Sequence, residues 1–169
     1  MTADAAKATA VLFAVVLLQV SALWTQIVDV PLVTLVCVSL LRGSLFGAVA
    51  GFWAGLLIDT ATLGTLGFNS LLLTLAGFWA GRYGETTGRD RSHAPFLSIA
   101  VVTVLTTVGA LVLHYLLGDP APARVVLVDT LPKEFALNML LTVPIWALTR
   151  RFFPPRELGD RVSEVRLLG

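Results

Sequence analysis

Long apolar runs separated by short polar breaks make up most of the chain. Residues 8–24 are apolar apart from Thr9, Gln19 and Ser21. A shorter run covers 31–41, and the run 44–58 ends at Asp59. Runs at 68–81, 96–117 and 135–149 follow, and Arg150-Arg151 stops the last. A helix needs roughly 20 apolar residues, within about 17–25, to cross a bilayer core. The pattern predicts six membrane-spanning helices, several of them short. Short spans thin the bilayer, borrow flanking residues or pack inside a bundle. Only Arg42-Gly43 separates 31–41 from 44–58, so a single long crossing is the competing pattern.

Charge favours six crossings. With the N-terminus inside, Lys7, Arg42, Arg82, Arg89, Arg91, Arg150, Arg151, Arg156, Arg161 and Arg166 are cytoplasmic, leaving only Arg124 and Lys133 of the 12 basic residues outside. Short cytoplasmic loops carry such an excess. One long crossing would bury Arg42 mid-membrane at a cost of about 2.5–3.5 kcal/mol. Both termini are then cytoplasmic. Lys7, the run after it and Val20-Ser21-Ala22 have the outline of a cleavable signal. Asp4 offsets Lys7, however, and cleavage would leave an odd number of spans, so the segment reads as a retained helix.

Composition agrees with a membrane solvent. The chain is 56% hydrophobic and 14% charged, with a mean hydropathy of +0.84. Soluble domains run about 45–50% apolar and about 25% charged, which argues against a soluble enzyme. A net charge of +1 argues against a nucleic-acid binder. Cys37 is the single cysteine, so neither an internal disulfide nor a cysteine metal cluster can form. Neither of the longer loops, 82–95 and 118–133, is long enough for a soluble domain. Residues 1–169 therefore read as one polytopic membrane domain with a basic cytoplasmic tail at 150–169. No convincing internal repeat stands out.

The clearest pattern is a glycine ladder. Gly43, Gly47, Gly51 and Gly55 recur at every fourth residue, and Gly77 and Gly81 repeat the spacing on the next helix. Such stripes let helix backbones approach closely in lipid. The ladder serves either packing within the bundle or docking of another subunit, and the pattern leaves both open. Ala6, Ala10 and Ala14 form a milder stripe on the first helix.

Asp59 closes the third span, where the helix dipole disfavours a negative charge. Something nearby is therefore expected to stabilise it. Asn69 or Ser70 can cap the next helix. Glu134 and Asn138 share a face of the last helix. Asn138 is expected to hydrogen-bond a neighbouring helix, and Glu134 to meet Lys133 or water. His93 and His114 have no partner at metal-ligand spacing, and no Ser/His/Asp arrangement appears. The sequence thus predicts no catalytic, cofactor or metal site. In the tail, Leu158, Val162 and Val165 share one helical face, and the arginines at 150, 151, 156, 161 and 166 suit anionic lipid at about 1 kcal/mol per basic residue.

The chain resembles the bacterial rod shape-determining protein MreD family. The likeness is carried by Arg42-Gly43, Gly47, the stretch Gly51-Phe52-Trp53-Ala54-Gly55-Leu56-Leu57-Ile58-Asp59, then Leu66-Gly67-Phe68-Asn69, Leu71 to Leu73, Gly77 and Gly81, and by Pro132, Asn138 and Arg150-Arg151. The resemblance implies a non-enzymatic scaffold of the cell-wall elongation machinery in the bacterial cytoplasmic membrane. Its implied partner is the bitopic protein MreC, in larger assemblies with MreB, RodA and a class B penicillin-binding protein. The implied fold is an all-α six-helix transmembrane bundle, similar to the substrate-binding subunits of energy-coupling-factor vitamin transporters. Those subunits supply the rival function. A vitamin pocket needs convergent polar groups, and the outer side offers only Gln26, Asp29, Asp59, Thr60, Asn69 and Glu134. The scaffold reading therefore leads. Leu57 is expected to face lipid.

Overall fold

A computed structural model describes residues 29–87, 93–118 and 122–152. The predicted first span at 8–24, the alanines at 6, 10 and 14, and the arginines at 156, 161 and 166 lie outside these. The described residues form five α-helices and no strand. They are α1 (Val30–Arg42), α2 (Ser44–Thr62), α3 (Phe68–Thr87), α4 (Ala94–Leu116) and α5 (Leu131–Phe152), with a π-helical turn Val125–Thr130 leading into α5. Pro31 and Pro95 sit in the first turns of α1 and α4, where the missing N–H costs nothing.

The runs 31–41 and 44–58 belong to two separate helices. Gly43 stands between them with φ of 100°, outside the range other residues adopt comfortably. The chain reverses there, because Ser39 on α1 comes back beside Gly47 on α2.

α1 is the core of the fold. Every residue from Pro31 to Leu41 is buried, including Thr34, Cys37 and Ser39. The Ser39 hydroxyl donates to the Leu35 carbonyl at 2.6 Å, so its polarity is satisfied within the helix. Around α1 the other helices bury one side and expose the other. Leu45, Val49, Val101, Val112, Leu140 and Val143 are all about half exposed or more. An exposed apolar surface of this extent would be a liability in water and suits lipid. α2 and α4 are long and apolar enough to cross a membrane by length and composition. Leu57 does not face lipid as expected. It packs half-buried against the core, together with Ala50 and Ile58.

Candidate functional site

The glycine ladder faces inward. α2 and α3 run antiparallel with their backbones in contact along one line. Gly43 opposes Gly81, Gly47 opposes Gly77, Gly51 opposes Leu73 and Gly55 opposes Ser70. A Cβ at Gly47 or Gly51 would overlap a carbonyl oxygen of α3, and one at Gly77 would overlap the Gly47 carbonyl. A Cβ at Gly81 would come within 2.5 Å of the Gly43 carbonyl. Backbone obstructs each of these positions, so no rotamer change relieves them. The Ser70 hydroxyl adds a 3.0 Å hydrogen bond to the Phe52 carbonyl across the seam.

Each end of this hairpin is closed by a carboxylate from the opposite helix. Gly67 has φ of 93°, and its carbonyl accepts the first helical hydrogen bond of α3, from the Leu71 N–H at 2.9 Å. Gly67 has no side chain with which to cap that helix. Asp59 reaches over from the end of α2 instead. Its carboxylate accepts the N–H groups of Gly67 (2.8 Å) and Asn69 (3.1 Å), the Asn69 side-chain amide (2.8 Å) and a longer contact from the Ser70 N–H (3.4 Å). Asp59 is only 1% exposed. A buried charge needs this density of donors, and the positive end of the α3 dipole adds to it. The expected stabiliser of Asp59 is therefore the start of α3. Asn69 serves Asp59 rather than capping its own helix.

The other end repeats the device. Gly43 precedes α2 and offers no side-chain cap. Glu85, near the end of α3, accepts the Ser44 N–H at 2.8 Å and the Ser44 hydroxyl at 3.0 and 3.1 Å. Arg82 pairs with Glu85 at 3.5 Å. The Ser44 N–H is the main cause holding the Glu85 carboxyl below its ordinary value of 4.5.

α4 and α5 meet through side chains. Asn138 is fully buried, and its amide donates to the Thr103 hydroxyl at 3.2 Å. Its Oδ1 has no partner. The Thr142 hydroxyl donates to the Asn138 carbonyl at 2.7 Å. One turn away, the Thr107 hydroxyl donates to Glu134 at 3.1 Å, so Glu134 meets α4 rather than Lys133. His114 stacks obliquely on Phe68, with ring centres 4.8 Å apart. Arg150 lies over the Trp146 ring at 5.9 Å, and Arg151 is exposed in the last turn of the helix. Among the described residues no three metal-ligating side chains converge.

Behind the glycine seam, α2 and α3 present aromatic pairs. Phe52 and Trp53 contact edge to face at 5.8 Å, and Phe78 and Trp79 do the same at 6.2 Å. Trp53 and Trp79 are each 57% exposed. Between α3 and α4 lies a recess of about 410 Å³, lined mainly by apolar side chains such as Trp79, Leu97, Val101 and Leu105.

The family model for rod shape-determining protein MreD matches residues 7–154. This chain belongs to the MreD family. It is accordingly a membrane-associated, rod shape-determining protein. No curated protein and no solved structure matches it.

Several structural residues of this MreD family member escaped the sequence reading. Glu85 lies beyond the apolar run, where a carboxylate beside Arg82 looks like an ordinary surface charge. Gly84 falls off the four-residue spacing, yet a Cβ there would come 2.5 Å from the Leu40 carbonyl of α1. Thr103 and Thr142 are indistinguishable by pattern from the other threonines of their helices. One signal was present and missed. The pentapeptide Gly-Phe-Trp-Ala-Gly occurs twice, at 51–55 and 77–81. It encodes the same design in both helices, with glycine toward the partner backbone and Phe-Trp outward.

Proposed function

We propose that this MreD-family protein is a non-enzymatic membrane scaffold that holds an MreC-like bitopic partner for the cell-wall elongation machinery. One observation carries the reading most: the α2–α3 hairpin is locked backbone to backbone and capped at both ends, while its outer side is exposed and aromatic. A surface that is rigid before binding loses little conformational freedom on docking. RodA, a class B penicillin-binding protein and MreB join through or beside that partner. The protein spans the cytoplasmic membrane six times with both termini inside, in the six-helix arrangement of energy-coupling-factor binding subunits. Its basic end, Arg150 and Arg151 with Arg156, Arg161 and Arg166, rests on anionic lipid.

The transporter-subunit alternative is less favoured. The recess between α3 and α4 is mainly apolar, whereas a vitamin requires several convergent polar groups.

The test is co-purification. Tagged protein is extracted from native membranes after mild crosslinking, and the MreC-like protein of the same cell is expected in stoichiometric amount. A bound small molecule in native mass spectrometry, without that protein, would replace this reading with the transporter one. Topology is checked separately, by a reporter after Gly169 and by a cysteine in place of Gly88. External labelling of that cysteine would exclude the six-span arrangement.

A further inference from the structure

The two copies of Gly-Phe-Trp-Ala-Gly lie at different depths. In α3, Trp79 stands three residues before Arg82, where the apolar run gives way to charge. An indole at that level finds water or headgroups for its N–H, the usual place for tryptophan in membrane proteins. In α2, Trp53 stands at the centre. The helix has 19 residues from Ser44 to Thr62, which leaves nine on either side of Trp53. At 1.5 Å per residue the indole lies roughly 13 Å from each end. The helix length matches a hydrocarbon core of about 30 Å, so Trp53 sits near mid-bilayer. Phe52 holds its ring edge to face. Its N–H makes no hydrogen bond within the described residues.

A tryptophan N–H taken out of water normally finds an acceptor. Acyl chains have none, and headgroups are too far away. A second copy of this face does not supply one either. The exposed or half-exposed residues around Trp53 are Val49, Phe52 and Leu56, and the nearest polar side chain, Thr60, lies near the helix end with its hydroxyl donating to Leu56 and Leu57 carbonyls.

We infer that the outer face of α2, centred on Trp53 and Phe52, seats a transmembrane helix of a different protein that offers a hydrogen-bond acceptor at mid-membrane depth. This rests on the scaffold function proposed above. The seated helix carries a Ser, Thr, Asn or Gln near its middle, or a small residue that exposes a backbone carbonyl. It packs along Val49, Phe52, Trp53 and Leu56 while the glycine seam holds α2 against α3 from behind.

The test is photocrosslinking of the full chain in native membranes. A photoreactive phenylalanine analogue replaces Val49 or Leu56, one turn either side of Trp53. In parallel it replaces Leu140 or Val143 on the exposed face of α5. The α2 positions are expected to crosslink to one membrane-spanning protein, within a segment that has an acceptor near its middle. Trp53→Phe keeps an aromatic side chain and removes the indole N–H together with its five-membered ring, a loss of size that Trp79→Phe matches on the neighbouring helix. It is expected to lower the α2 adduct at least threefold, whereas Trp79→Phe leaves it unchanged. An adduct insensitive to Trp53→Phe, an adduct with a second copy or with residues 8–24 of the same chain, or lipid adducts alone at α2 would overturn the inference. If α5 alone captures a protein, this docking face is wrong and the scaffold function stands. If no face captures one, both fall.

Discussion

The α2–α3 hairpin and the α4–α5 pair solve the same problem by different means. Lipid offers no hydrophobic drive for helices to associate, so packing and hydrogen bonds must supply it. α2 and α3 remove side chains and bring backbone against backbone, then close each end with a carboxylate from the opposite helix. α4 and α5 keep their side chains and join through Thr103–Asn138 and Thr107–Glu134. The first arrangement leaves no room for change. The second spreads its interaction over groups that can each be lost singly. A glycine seam therefore makes a rigid pair, and a side-chain ladder makes a tolerant one.

Substitution should expose this difference. The largest loss is expected from Gly51→Leu or Gly47→Leu, which drive a side chain into an α3 carbonyl. Overpacking costs about 1–3 kcal/mol in ordinary cores, and here the obstacle is backbone, so the upper end applies. Thermal unfolding of the purified protein and partner recovery are measured together, since about 1.4 kcal/mol already weakens a complex tenfold. Unchanged values in both would show that α2 and α3 do not approach as described.

Asp59→Ala comes next. It strips several buried N–H donors of a charged acceptor, and hydrogen bonds to charged groups contribute about 1.5–3 kcal/mol. Asp59→Asn keeps an acceptor and should recover part of the loss in the same unfolding assay. If the alanine variant melts like the parent, the cap contributes nothing.

Asn138→Ala tests the tolerant pair. Side-chain hydrogen bonds between membrane helices average about 0.6 kcal/mol, and Asn138 already lacks a partner for Oδ1. A melting shift much smaller than that of Gly51→Leu is expected. A shift of equal size would erase the contrast between the two helix pairs.

The smallest effect concerns Glu85 and appears with pH. Its carboxyl titrates below 4.5 in the folded protein. Its capping contribution is therefore fully present above the ordinary carboxylate value and is lost as pH falls through the lowered one. Parent and Glu85→Gln should differ in melting temperature at neutral pH and converge in acid. A constant difference down to low pH would assign the effect to something other than the charge.

Much of this was legible in the sequence because glycine and charge are unambiguous. The four-residue spacing from Gly43 to Gly55 marked a close-packing face, and the unfavourable position of Asp59 at a helix end required a stabiliser. Which surface the ladder met was not legible, since glycine suits an internal seam and a foreign helix equally well. The burial of Leu57 was missed because nearly every position around α2 is apolar, so hydrophobicity does not mark the inner side. Glu85 was passed over and Asn69 was read as a cap of its own helix, because their roles depend on a helix that lies far off in sequence or reaches back over a turn.

The one-residue reversal at Gly43 bears on how the protein is made. α1 has 13 residues and is buried throughout from Pro31 to Leu41. At 1.5 Å per residue it is only about 20 Å long, well short of a hydrocarbon core of about 30 Å. Alone in a bilayer during synthesis it would be a poor insertion substrate, and its final neighbours α3 and α5 have not yet left the ribosome. Its stable placement must wait until they arrive, which makes the order of synthesis different from the order of assembly. Chains stalled after Thr62 should leave Ser39 accessible to a water-borne thiol reagent when it is replaced by cysteine in a Cys37→Ala background, whereas full-length chains should protect it.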